Sequence, residues 1–307
     1  MGFISAPFGS LLFWLNNLVG NYGLALIIFT VLVRIILLPL TVKQQKSMQE
    51  MQKINPELAK IKEKYKNDKD KLNEEMMKLY KEHNVNPAGG CLPVLIQFPI
   101  IIGLYQVIIK PLTYMFKLAP EKIAELTVKV NEVLAAGGKP LIDAADYNGQ
   151  IMVAQSVNTD ILNSVGLGNI TPINFNFLGI NLGDTPSMSL ITALWVIPVL
   201  AAVTTYLSTK ISMAQTNNTS DDQTAATMKT MNMIFPFMTA WFAFKMPAGV
   251  GLYWIMGNII QIVQQYSLNR YFKSKPAENP LVIEKEHKPN KGGGKKNEKR
   301  ESKRKDG

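Results

Sequence analysis

The stretch "LALIIFTVLVRIILLPLTV", residues 24–42, decides the fold class. It is apolar throughout except for Arg34 near its middle, and with Tyr22 and Gly23 it reaches the roughly 20 residues a helix needs to cross a bilayer core. No charged side chain precedes Arg34, whereas residues 270–307 carry 13 Lys/Arg. Charge kept out of long windows and gathered between them is the pattern of a membrane protein, not of a soluble surface. The one cysteine, Cys91, has no partner for an internal disulfide.

Apolar windows at 22–42, 92–116, 188–208, 229–246 and 249–269 predict five spans, and hence an all-α polytopic membrane bundle. Residues 1–21 lack the basic start of a cleaved signal and a cysteine to carry a lipid. Leu11, Trp14, Leu15 and Leu18 recur there at helical spacing beside Asn16, Asn17 and Asn21, which predicts an amphipathic helix in the membrane interface.

Charge sets the expected orientation. Segment 43–88 has 11 Lys/Arg against 8 Asp/Glu, and the tail 270–307 has 13 against 6, while segment 117–187 has 4 against 7. The positive-inside rule then places 43–88 and the tail in the cytoplasm and 117–187 outside, which agrees with the parity of five spans. The N-terminus is expected outside and the C-terminus in the cytoplasm, with the tail largely disordered.

Within 43–88, Met48, Met51, Ile54, Leu58, Ile61 and Tyr65 recur every three or four residues, and Leu72, Met76, Leu79 and Tyr80 repeat the pattern after "KND". An antiparallel helical hairpin follows. Met48, Met51, Met76 and Met77 suit an adaptable surface for apolar partners, or equally the packing of the hairpin on itself.

The spans also carry polar residues. Counted along straight helices from the nearest charged flank, Arg34 lies roughly 13 Å inside the cytoplasmic boundary. Gln97, Thr204, Asn232, Asn258, Gln261 and Gln265 fall in the same leaflet. Trp254, Asn258, Gln261 and Gln265 are spaced 4, 3 and 4 apart, one stripe of a helix. Polar stripes confined to one leaflet predict a water-filled groove open to the cytoplasm and sealed outside. No Asp or Glu occurs in the five spans, so Arg34 has no acidic partner in the bundle and must be met by water, backbone carbonyls and amide side chains.

These residues resemble a known family. "FTVLVRIILLPLTVKQQKSMQEMQKINPELAKIKEKYKND", "NPAGGCLPVLIQFPI", "FNFLGINLGD" and "MNMIFPFMTAWFAFKMPAGVGLYWIMGNIIQIVQQYSLNRYF" are similar to the YidC/Oxa/Alb membrane protein insertases, in order, over most of 22–118 and 173–272. The resemblance implies five core helices around a cytoplasm-open hydrophilic groove, with Arg34 at the arginine of the first core helix and 43–88 as the cytoplasmic hairpin. It implies a bacterial cytoplasmic-membrane insertase and chaperone for nascent membrane proteins. The client's short polar segment would enter the groove while its hydrophobic segment slides into lipid. An acidic client residue would pair with Arg34. The resemblance further implies membrane lipids, the Sec translocon, and ribosomes reached by the basic tail as partners. Composition alone allows that tail to attract rRNA or anionic lipid. Segment 119–172 is an insertion relative to compact members.

Two other classes fit less well. A small-molecule transporter or channel predicts polar residues at all depths and usually an internal repeat. An intramembrane enzyme needs a nucleophile and base or metal ligands, yet His83 and His287 lie outside the spans and no HExxH occurs, so no catalytic residue, metal or cofactor is expected.

Overall fold

The computed structural model describes residues 2–86, 92–213 and 222–274, so Cys91 and the tail from residue 275 lie outside the described residues. Proline decides where the first apolar stretch ends. Helix α2 (Tyr22–Ile36) starts at Asn21, whose side chain accepts the Leu24 N–H at 3.1 Å. It stops at Leu37 because Pro39 has no N–H for the Ile35 carbonyl and its ring crowds that carbonyl. Helix α3 (Leu38–Lys64) leaves at 55°. The expected span 22–42 therefore ends at Ile36, and the hairpin begins at Leu38 instead of Lys43. With this bend the depth of Arg34 falls from roughly 13 Å to about 10 Å.

Helix α4 (Lys69–Glu82) starts at Asp68, which accepts the Lys71 N–H at 3.1 Å, and folds back on α3. Ile54, Leu58, Leu79 and Val85 form their shared core, with Met51 and Met76 packed on it. Of the four methionines singled out above, these two hold the hairpin together, Met48 is half-buried, and Met77 is exposed.

Helix α1 (Gly2–Val19), expected at the membrane interface, packs along α2 and along α5 (Leu92–Ile109). Phe8 meets Phe29 edge-on at 5.3 Å, and a Cβ on Gly103 would lie 2.7 Å from Ile4. Phe29 is seven residues into α2, about 10 Å from its outer end, so α1 reaches into the bundle. The expected span 92–116 is interrupted at Lys110, ahead of Pro111, where α6 (Pro111–Tyr114) begins.

The insertion folds as α7 (Pro120–Ala136), α8 (Gly149–Ser156) and α9 (Thr159–Ser164). Leu126, Ile151 and Leu162 belong to the same buried core as Leu104, Ile108 and Leu112, so this cap is continuous with the bundle. Gln150 Oε1 fixes it by accepting from Thr113 N at 3.2 Å and Thr113 Oγ1 at 3.1 Å.

A two-stranded hairpin, β1 (Asn176–Phe177) and β2 (Ile180–Asn181), closes the end of the bundle where α2 and α12 begin, turning through Leu178 and Gly179 with φ of 52° and 79°. Around it, carbonyls take N–H groups that the first turn of a helix leaves free. Asn174 accepts from Tyr22 at 3.1 Å, while Leu182 and Asp184 accept from Gly249 and Ala248, each at 2.8 Å. Segment 174–184 thus clasps α2 to α12 (Ala248–Ser274).

Helix α10 (Val196–Met213), entered through a short 3-10 turn (Ala193–Trp195), packs on α11 (Asp222–Ala243) and on α12, and α12 packs on α2. These three helices replace the expected bounds 188–208, 229–246 and 249–269. By length and hydropathy, Gly2–Val19 and Ala193–Ser212 can each cross a membrane, and the bent pair α2 and α3 makes a third if it is one span. Helix α12 is long enough at 27 residues, yet Asn258, Gln261, Gln264, Gln265 and Asn269 lower its hydropathy. Its C-terminal part is tied to the root of the hairpin, where Gln45 Nε2 donates to Asn269 Oδ1 at 2.8 Å. The architecture is all-α, a helical bundle with a hairpin at one end and a cap at the other.

Candidate functional site: a polar cluster around Arg34

Arg34 occupies the last turn of α2 and points at α12. The contact is close because residue 257 is glycine. A Cβ there would stand 3.1 Å from Arg34 Nη2 and 4.0 Å from Cζ. One turn earlier on the same face of α12 stands the buried Tyr253. Gln97 Nε2 of α5 donates to the Tyr253 hydroxyl at 3.0 Å, so α2, α5 and α12 meet at this point. Two turns further on, Gln264 Nε2 lies 3.4 Å from the Arg34 carbonyl, one of those freed where α2 ends.

Among the described residues no carboxylate pairs with Arg34, and no side chain hydrogen-bonds its guanidinium. A guanidinium carries five N–H donors in a fixed fork, which suits a carboxylate approaching edge-on. The site therefore offers a half-buried cation with open donors, seated against backbone and a phenol.

A second polar cluster faces α10. Asn258 Nδ2 donates to Thr205 Oγ1 at 2.9 Å and to Thr204 Oγ1 at 3.2 Å, while Thr204 Oγ1 donates to the Leu200 carbonyl at 2.7 Å. Asn258, Thr204, Thr205 and Gln265 are all buried. Trp254 and Gln261 are half-buried. Asn232 sits within α11, and its side chain lies outside the described residues.

The stripe Trp254, Asn258, Gln261, Gln265 is thus not the face that meets Arg34. At about 100° per residue it is turned roughly a quarter of a circle from Tyr253, Gly257 and Gln264. Gln261 lies between the two faces. Contrary to the expectation that amide side chains satisfy Arg34, the neighbouring amides bond to Tyr253, to the Arg34 backbone and to threonines.

Sequence reasoning missed Tyr253, Gly257, Gln264 and Thr205. Gly257 left a signal, since glycine inside a helix costs about 1 kcal/mol relative to alanine and marks a close approach. Beside the clusters, α11 exposes Met233, Ile234, Phe237 and Trp241, an apolar face unlike the buried amides of α12.

Comparison with known proteins places these features in context. The family model described as "60Kd inner membrane protein" matches residues 14–275. The chain is 36% identical over 251 residues to the membrane protein insertase YidC of Fusobacterium nucleatum, covering 82% of this chain and 87% of that protein. It is 33% identical over 250 residues to that of Clostridium perfringens, covering 80% and 77%. Against that of Nitratidesulfovibrio vulgaris, 32% identity over 269 residues covers 88% of this chain and 39% of the longer relative. A solved structure described as an active YidC insertase with its first transmembrane domain resolved matches at a TM-score of 0.50 and 28% identity, over 86% of this chain and 46% of that one.

Proposed function

This chain belongs to the 60Kd inner membrane protein family, whose relatives compared above are membrane protein insertases of the YidC type, and from that premise we propose how it handles its clients. It is a protein of the cell membrane, and its family is not one of classical enzymes. It inserts nascent membrane proteins by lowering the barrier for polar groups to move part-way across the bilayer, with no covalent step.

The client's short translocated tail enters a hydrated groove lined by Arg34, Gln97, Thr204, Asn232, Trp254, Asn258, Gln261 and Gln265. Its hydrophobic segment leaves along the apolar face of α11. An acidic residue in the tail pairs with the Arg34 guanidinium. The observation that carries this reading is that Arg34 is half-buried and without a hydrogen-bonded or ionic partner among the described residues. A charge at mid-membrane costs from about 2.5 to above 10 kcal/mol depending on how far water reaches it, so such a cation needs water and favours an incoming anion.

Of the five spans, α2, α5, α10, α11 and α12 form the core, with the N-terminus outside and the hairpin and tail in the bacterial cytoplasm. The basic tail meets ribosomes carrying nascent chains, Met48 and Met77 of the hairpin offer a surface to apolar partners, and the Sec translocon works beside the chain on larger clients. The alternative of a small-molecule transporter is not favoured by the family.

Reconstitution tests the activity. In liposomes holding only this protein, a ribosome-released single-span client with a short acidic tail is expected to acquire a protease-protected tail. Protection no higher than in protein-free liposomes would contradict an insertase acting alone.

A further inference from the structure

We infer that Tyr253 and Gly257 fix where the Arg34 guanidinium stands, Tyr253 as a positioning residue and Gly257 as the clearance it needs, and that this seat gives the insertase its preference for acidic clients. The inference rests on the proposed role of Arg34 in receiving acidic segments.

An arginine side chain has four flexible torsions, and with no acid near it the head would swing between the groove and the headgroups. Two features oppose that swing. The first is steric. The missing Cβ of Gly257 leaves a flat patch of helix backbone under the guanidinium, and a methyl group there would stand 3.1 Å from Nη2. That contact is tighter than ordinary van der Waals separation, so an alanine at 257 requires the charged head to give by a few tenths of an ångström, and a larger residue by more.

The second feature is electrostatic. The Tyr253 hydroxyl accepts from Gln97 at 3.0 Å, which fixes the oxygen, and Tyr253 stands one turn before Gly257 on the face of α12 that meets Arg34. A phenol oxygen is the negative end of a dipole, enough to orient a cation and too weak to neutralise it. A carboxylate at the same place would hold Arg34 more firmly, but it would compete with the client's own carboxylate. The chain has none in this part of the bundle. The seat therefore orients the charge while leaving its donors free.

The test compares two clients that differ only by Asp or Asn in the translocated tail, inserted into liposomes by each variant. Tyr253→Phe and Gly257→Ala are each expected to lower insertion of the Asp client by about five- to tenfold, the scale of one polar contact to a charged group, with the Asn client within about twofold. Tyr253→Phe is expected to add nothing in an Arg34→Gln background, as coupled residues should behave. Arg34→Lys, whose head is slimmer, is expected to restore part of the loss caused by Gly257→Ala, which a purely structural defect would not allow. Equal loss with both clients, or no loss with either, overturns the inference when Arg34→Gln itself lowers insertion of the Asp client alone. If Arg34→Gln itself treats the two clients as the wild type does, the capture role falls, and the inference falls with it.

Discussion

Arg34→Glu is expected to cut insertion of a client with an acidic translocated tail by at least tenfold, in membranes depleted of other insertases. Two unit charges 4 Å apart interact by about 4 kcal/mol at an effective dielectric constant of 20 and about 1 kcal/mol in bulk water, and a hydrated groove lies between these limits. Reversing the sign replaces attraction by repulsion, so a change of a few kcal/mol remains after screening, and each 1.4 kcal/mol is about a factor of ten. Arg34→Lys keeps the charge but loses the planar fork, and its loss should stay within about tenfold. A client with a neutral tail should respond little to either change. If Arg34→Glu inserted the acidic client as well as wild type, or harmed both clients alike, Arg34 would not be the receiving charge.

Replacing the groove amides by leucine should have the next largest effect. Asn258→Leu with Gln261→Leu puts apolar side chains, Leu being larger than Asn, in place of the amides that the proposed groove would use to hold water. Thr204 still donates to the Leu200 carbonyl at 2.7 Å, but the buried Thr205 Oγ1 loses the Asn258 Nδ2 donor at 2.9 Å, so the bundle should lose about 1 kcal/mol or more of stability, and the dependence on the client, not stability, is the readout. Function should fall with the polarity of the client. Each charged residue drawn to mid-membrane costs about 2.5–3.5 kcal/mol on insertion scales, so tails with several polar residues should insert about tenfold less, and tails with one or none nearly as well. Insertion yield measured against the number of polar residues in tails of one length checks this. A uniform fall across all tails would mean that the amides serve packing alone.

The helical class, the hairpin and the place of Arg34 in an apolar helix were legible in the sequence because each rests on a local rule: apolar length, three-to-four spacing, and a charge in an apolar window. The bend after Ile36 was written in Pro39 but hidden by hydropathy, which reads 22–42 as one run. The partners of Arg34 were not legible, since which face of α12 meets α2 depends on how the two helices are rotated. That rotation is fixed by Gly257 and by the clasp at Gly249 and Ala248, contacts between residues far apart in the chain. Polarity favoured the stripe at Trp254, Asn258, Gln261 and Gln265, and Tyr253 escaped because a phenol among apolar residues reads as core. The cap formed by 119–172 has no sequence signature beyond short apolar runs. Its structural account is a buried core continuous with the bundle through Leu126, Ile151 and Leu162. Leu178 shows the limit of such rules, because a φ of 52° suits glycine or asparagine better than leucine.

The central claim is that a client's polar tail lies in the cytoplasmic-half groove while its hydrophobic segment lies against α11. Site-specific photo-crosslinking to a ribosome-bound nascent membrane protein tests it directly, with the reactive group at Gln261 for the groove, at Phe237 for α11, and at the exposed Val31 of α2 as a control. The account predicts tail adducts from 261, adducts to the hydrophobic segment from 237, and neither from 31. Tail adducts that are absent from 261, or as frequent from 31, would contradict it.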